Sequence, residues 1–271
     1  VKADKRSSAR IAMMHQEAIC FSPPGMSGTI AMAFDNSTTY FVPTMPFRLL
    51  VFDLDGTLVE SLPDLHTAVN LALAEHGHPP RTTEEVRTAI GDGARILIAR
   101  TTPEGSSEDE IDRVWRSFRG HYARVCRDSS FLLPGVREFL EARAADSPRP
   151  RMVILTNKPQ EPTDLLVHHL GLEQWIGRAL GGDTSLGRKP DPTGLVDLMS
   201  ESGATIADTL MIGDGPADLA VAQAAGVPAI LLATGYGKRE ELEGLPRLRE
   251  VADLAELGRI WPELDTITSG R

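Results

Sequence analysis

From residue 47 onward, short apolar runs alternate with stretches of helical period, and no other feature of the chain restricts its fold so strongly. The runs fall at 48–53, 151–156, 178–181, 209–213 and 229–233, with centres such as LLVF, MVIL, LMI and AILLA. Strands without polar alternation are buried on both faces, the condition of a parallel sheet covered by crossover helices. Helical segments such as PQEPTDLLVHHLG (159–171) and PADLAVAQAAG (216–226) lie between them, the second closed by Gly226 and Pro228. The pattern predicts an α/β fold built on a parallel sheet.

About a hundred residues separate the first two runs, far more than a crossover needs. Amphipathic pieces at 61–77, 82–91, 93–101 and 106–126 predict a helical insert of about four helices, and 133–145 returns the chain to the sheet. The expected division is a sheet domain of 45–60 and 133–271 with a helical domain of 61–132 inserted in it. Trp115, Phe118 and Tyr122 recur at helical spacing and are read as the core of the insert rather than a binding face. Residues 1–44 hold no sustained period and are broken by Pro and Gly, which predicts a poorly ordered extension. Met45 stands immediately before the first strand-like run while the chain begins at Val1, so translation is expected to start at Met45; a native peptide from 11–44 would refute this.

Hydrophobic residues are 41% and charged residues 24% of the chain, an ordinary globular composition. With 28 basic against 38 acidic residues, net charge −10, and no dense basic run, nucleic acid is not an expected partner. Apolar runs end well short of the ~20 residues of a membrane span, so no membrane partner is expected. Cys20 and Cys126 lack metal-ligand spacing and form no disulfide framework, which fits a reducing, cytoplasmic setting. Nothing in the sequence separates a monomer from a homodimer.

Ligands of open parallel sheets bind at the C-terminal strand ends. There the sequence places Asp53 and Asp55 after the first run, Thr156 and Asn157 after the second, Asp214 after the fourth, and Lys189 in GRKPDP after the third. Carboxylates crowded together repel unless a hard cation offsets them, and oxygen ligands favour magnesium. Lys189, Thr156 and Asn157 can then hold phosphate oxygens. Asp53 can attack phosphorus as a carboxylate nucleophile, and Asp55 can protonate the leaving alkoxide and later deprotonate water.

The strings DLDGT, TN, RKPDP and GDGPAD, in that order, resemble the haloacid dehalogenase-like phosphohydrolases over residues 47 to about 260. The resemblance implies a Rossmann-like core with an α-helical cap and an aspartyl-phosphate on Asp53. It also implies phosphate donors at Thr156 and Asn157, a charge-neutralising Lys189, and Mg2+ held by Asp53, Asp214, the main-chain carbonyl of Asp55 and a supporting Asp218. Gly215 departs from relatives that carry Ser there, which implies a lost hydroxyl near the cation but no lost ligand. Within the family, IGDGARILI (90–98), LLPGV, TNKP and GGDTSLGRKPDP are similar to phosphoglycolate phosphatases. Arg95 is expected to meet a substrate carboxylate, or else to be a surface arginine; Asp183 is a further site residue or a loop cap. The histidines show no ligand spacing and are read as surface or packing residues.

The expected function is Mg2+-dependent hydrolysis of a small phosphate monoester, 2-phosphoglycolate first. Alternatives are a sugar-phosphate phosphatase, a pyrophosphatase or a phosphoglucomutase-type phosphotransferase of the same fold. Outside enzymes, the alternative is a regulatory protein that binds a phosphorylated metabolite.

Overall fold

The computed structural model of the 271-residue chain describes residues 31–33, 39–41 and 47–269. Ala31–Ala33 (β1) and Thr39–Phe41 (β2) pair antiparallel. For the rest of 1–44 the expectation of poor order, and the expected start at Met45, lie outside the described residues.

The main sheet is built from Leu49–Phe52 (β3), Arg151–Leu155 (β6), Ile176–Leu180 (β7), Thr209–Gly213 (β8), Ala229–Leu232 (β9) and Arg249–Val251 (β10). Its order is β10-β9-β8-β3-β6-β7, and every neighbouring pair is parallel. All four residues of β3 are inaccessible to solvent. Leu50 and Phe52 join one apolar layer with Phe139 and Trp261, while Leu49 and Val51 join the other with Leu195 and Leu219. Each such side chain contributes roughly 1.5–3 kcal/mol on burial, so the central strand is anchored from both faces. The chain runs outward from β3 through β6 to β7, then returns to the other side of β3 for β8, β9 and β10. That reversal opens a crevice at the C-terminal end of β3, the position at which such sheets bind ligands.

Two features depart from the expected strands. β10 is an added edge strand whose Arg249 and Glu250 are exposed, so no apolar run marks it. β7 begins at Ile176, where exposed Gly177 and half-buried Arg178 interrupt the apolar pattern.

Val59–Glu60 (β4) and Phe131–Leu132 (β5) pair antiparallel at the base of the insert. Between them lie Leu62–Glu75 (α1), Thr83–Arg87 (α2), Ala94–Thr101 (α3) and Glu108–Val125 (α4), which share an apolar cluster that includes Leu65, Val69, Ile98, Val114 and Phe118. Thr82 and Glu85 form a capping box at the start of α2, and the Ser107 hydroxyl caps α4. The helix expected over 82–91 stops at Arg87. Residues 88–93 instead form a loop whose Gly91 and Gly93 take φ of +126° and +92°, conformations that a side chain disfavours.

The remaining helices are Val136–Ala144 (α5), Gln160–His169 (α6), Thr193–Ser202 (α7), Pro216–Ala225 (α8), Arg239–Leu242 (α9) and Leu254–Ser269 (α10). Among the described residues no helix is long and apolar enough to cross a membrane.

Candidate active site

The crevice at the end of β3 brings together residues far apart in sequence. Asp53 and Asp55 follow β3, Thr156, Asn157 and Lys158 follow β6, and Asp214 follows β8. Asp218 stands in the first turn of α8, and Lys189 comes from the loop between β7 and α7. Lys189 Nζ lies 2.7 Å from Asp53 Oδ1 and 2.6 Å from Asp218 Oδ1. Asp53 Oδ1 is thus held by the Lys189 ammonium as a buried ion pair. The second oxygen of Asp218 accepts from the main-chain N–H groups of Asp214 (3.1 Å) and Gly215 (2.9 Å). Gly215 thus supplies a bond through its backbone where the resemblance implied a missing hydroxyl.

Asp214 is held rigidly. The Thr57 hydroxyl donates to its Oδ1 at 2.7 Å and the Tyr236 N–H to its Oδ2 at 2.7 Å. A Cβ on Gly235 would overlap the Asp214 carboxylate, so only glycine allows the loop after β9 to approach.

Carboxylate oxygens of Asp53, Asp214 and Asp218 lie within 4.8 Å of one another. Burial pushes the Asp53 carboxyl up to about 6; Lys189 opposes the shift, and the charges of Asp218 and Asp55 add to it. Burial and then the charges of Asp53 and Asp218 push Asp214 up to about 8, against the bonds from Thr57 and Tyr236. Burial alone would lower the Lys189 pKa, but Asp218 and Asp53 outweigh it and hold it above the ordinary lysine value. Three carboxylates with one ammonium leave uncompensated negative charge. An all-oxygen donor set of this kind fits a hard divalent cation.

Asp55 faces elsewhere. Its carboxylate receives Lys158 Nζ at 2.9 and 3.0 Å and the Ser61 hydroxyl at 2.5 Å. Lys158, whose side chain is 2% exposed, also donates to the Tyr122 hydroxyl at 2.6 Å and lies 4.6 Å from the centre of that ring. Tyr122 belongs to α4 of the insert, so its reading as insert core alone is corrected: it packs in that core and also lines the site. Phe118 has the same double role, whereas Trp115 packs against the cluster and carries Arg119 over its ring.

Three further contacts close the insert on the sheet domain. Asn157 Nδ2 donates to Gly91 O at 2.9 Å and to Lys189 O at 3.1 Å, Arg188 donates to Asp92 O at 3.1 Å, and Arg87 donates to Gly235 O at 2.9 Å. The side-chain amide expected to face phosphate is therefore committed to two carbonyls. The cavity at the site, partly open to solvent, measures about 110 Å³. By roughly 10–15 Å³ per water, that is room for on the order of eight waters, suited to a compact ligand.

The structure does not bring Arg95 to the cavity. Its guanidinium, 43% exposed, is held by Glu108 at 2.5 Å and Asp112 at 2.9 Å, both on α4. Asp183 accepts from Gln160 N at 2.8 Å at the start of α6 and lines the cavity, so it serves as a loop cap at the rim. Lys158 went unassigned by sequence reasoning, although its place directly after Thr156-Asn157 in TNKP was the available signal.

A parallel sheet with paired aspartates at its switch point, two buried lysines and a helical insert over them marks a hydrolase. The model of the haloacid dehalogenase-like hydrolases matches residues 47–226, and the chain belongs to that family. A phosphoglycolate phosphatase of Rhodospirillum rubrum is 38% identical over 218 residues, covering 78% of this chain and 89% of the relative. One of Pseudomonas putida is 34% identical and covers 80% of each chain. Among solved structures, a protein described as a predicted phosphoglycolate phosphatase from Haemophilus somnus superposes with TM-score 0.72 at 30% identity, over 79% of this chain and 98% of that one.

Proposed function

We propose that the protein is a Mg2+-dependent phosphatase that hydrolyses 2-phosphoglycolate to glycolate and phosphate. The observation that carries the reading is the separate pairing of the two neighbouring carboxylates, Asp53 with Lys189 and Asp55 with Lys158. Like residues with unlike surroundings take unlike roles.

Asp53 attacks phosphorus through a carboxylate oxygen, and the bond to the glycolate oxygen breaks as an aspartyl-phosphate forms. Asp55 gives a proton to that oxygen, then takes one from the water that releases phosphate. Lys189 neutralises charge on the attacking side, and the Thr156 hydroxyl and Asn157 N–H hold phosphate oxygens. Asp53, Asp214 and the Asp55 carbonyl hold the cation, and Asp218 orients Lys189 and the Asp214 loop. When bound, Mg2+ supplies Lewis-acid neutralisation of phosphate charge. The helical insert, residues 61–132, serves as a cap that excludes water.

Phosphoglycolate as substrate is supported by the names of the relatives and by the small cavity. The net charge of −10 and the free, buried thiol of Cys126 suit a cytoplasmic monomer or homodimer that binds neither nucleic acid nor membrane. The test is kcat/KM with Mg2+ across 2-phosphoglycolate, hexose phosphates, pyrophosphate and nucleotides. 2-Phosphoglycolate is expected to lead, and preference for pyrophosphate or a hexose phosphate would assign the chain to one of the other phosphotransfer activities of its fold. D53N is expected to abolish turnover and keep the fold.

A further inference from the structure

The cavity holds a second buried cation, Lys158, whose part toward the substrate is not given by its pairing with Asp55. Lys189 stands on the attacking side, between Asp53 and Asp218. Lys158 stands on the opposite side against Asp55, the group that faces the leaving oxygen. In 2-phosphoglycolate the carboxylate is one methylene from that oxygen, so the acid end of the substrate falls beside whatever flanks Asp55. Lys158 flanks it at 2.9 Å, and the Tyr122 hydroxyl lies 2.6 Å beyond.

We infer that Lys158 and Tyr122 form the subsite that receives the substrate carboxylate, a reading that rests on 2-phosphoglycolate as the substrate. Lys158 supplies the charge. Tyr122 accepts from Lys158, and its own hydroxyl hydrogen has no acceptor among the described residues, so it is free to donate to a carboxylate oxygen. Phe118 stacks on the Tyr122 ring and Lys158 is buried, surroundings in which a charge-assisted bond is stronger than in water.

Other cations are worse placed: Lys238 at the rim is 42% exposed and lies 3.5 Å from Glu241. Arg100 is 42% exposed and paired with Asp92 at 2.5 Å. Arg119 is exposed and rests on the Trp115 ring. Arg95 does not reach the cavity. Because Tyr122 comes from the insert and Lys158 from the sheet domain, the acid end of the substrate is read where the two meet.

The test compares kcat/KM for 2-phosphoglycolate and ethyl phosphate, in which a methyl replaces the carboxylate, on the full chain with Mg2+. Lys158 also touches Asp55, so the readout is the ratio of the two values, from which a loss common to both esters cancels. K158M is expected to lower the ratio about 10- to 100-fold and Y122F by about tenfold, the worth of a hydrogen bond to a charged group. K158R is expected to retain most of it. Y122F keeps the ring in the insert core and carries the test if K158M does not fold. A wild-type preference that survives both substitutions overturns the subsite alone. A wild-type ratio near one overturns the subsite and the phosphoglycolate reading together.

Discussion

The ammonium of Lys189 sits 2.7 Å from Asp53 in a side chain only 2% exposed, with Asp218 equally close on its other flank. Removing it leaves two buried carboxylates facing each other. K189M is expected to destabilise the protein by about 3–5 kcal/mol, the usual cost of breaking a buried ion pair from one side. Urea denaturation checks this, and a midpoint within error of wild type would contradict the pairing. Added Mg2+ is expected to recover part of the loss, since it supplies positive charge to the same carboxylates.

The raised carboxyl groups fix the direction of pH dependence. Folded Asp53 and Asp214 titrate at about 6 and about 8, against 3.8 for an ordinary aspartate, so the folded state holds protons that the unfolded chain has released. Stability of the cation-free protein therefore falls as pH rises from about 4 to about 8. Melting curves with chelator should show that decline, and saturating Mg2+ should flatten it. D214N should remove its upper part.

Gly235 marks the closest approach of a neighbouring loop to Asp214. G235A adds one methyl that displaces the carboxylate, so the Mg2+ concentration for half-maximal activity is expected to rise about 10- to 100-fold, as for other losses of support around a metal ligand. Titration of activity with Mg2+ checks it. An unchanged midpoint would show that Asp214 does not set cation affinity.

Arg95 offers the converse case. R95A removes a surface pair with Glu108 and Asp112 and nothing in the cavity. Its kcat/KM on 2-phosphoglycolate should stay within about twofold of wild type, and its urea midpoint should match wild type, as expected of an exposed pair. A tenfold fall in kcat/KM would return Arg95 to the site.

Five of the six strands of the main sheet are legible in the sequence because burial on both faces leaves uninterrupted apolar runs. β10 is not, since an edge strand with exposed Arg249 and Glu250 has no such signature. Asp53, Asp55, Asp214 and the Thr156-Asn157 pair are legible because strand ends are predictable, and the topology then gathers them. Tyr122 and Lys158 are not. Helical spacing reads the same whether a residue packs inward or also faces a cavity, and only the packing of α4 against α6 brings Tyr122 to Lys158. For Arg95 the deciding fact is tertiary: carboxylates 13 and 17 positions along the chain hold its guanidinium outside.

Away from the hinge strands, the polar seam between insert and sheet domain includes four bonds, from Asn157, Arg188, Arg87 and Lys158 to Gly91, Asp92, Gly235 and Tyr122. At about 0.5–1.5 kcal/mol apiece they amount to roughly 2–6 kcal/mol. That is a modest barrier beside the ion pairs beneath, which hold Asp53 and Asp218 to Lys189 without help from the insert. The chemistry is wired into the permanent half of the molecule, and the doorway is fastened in part by single bonds that thermal motion can undo, so the traffic of ester in and acid out need not disturb the Lys189 ion pairs.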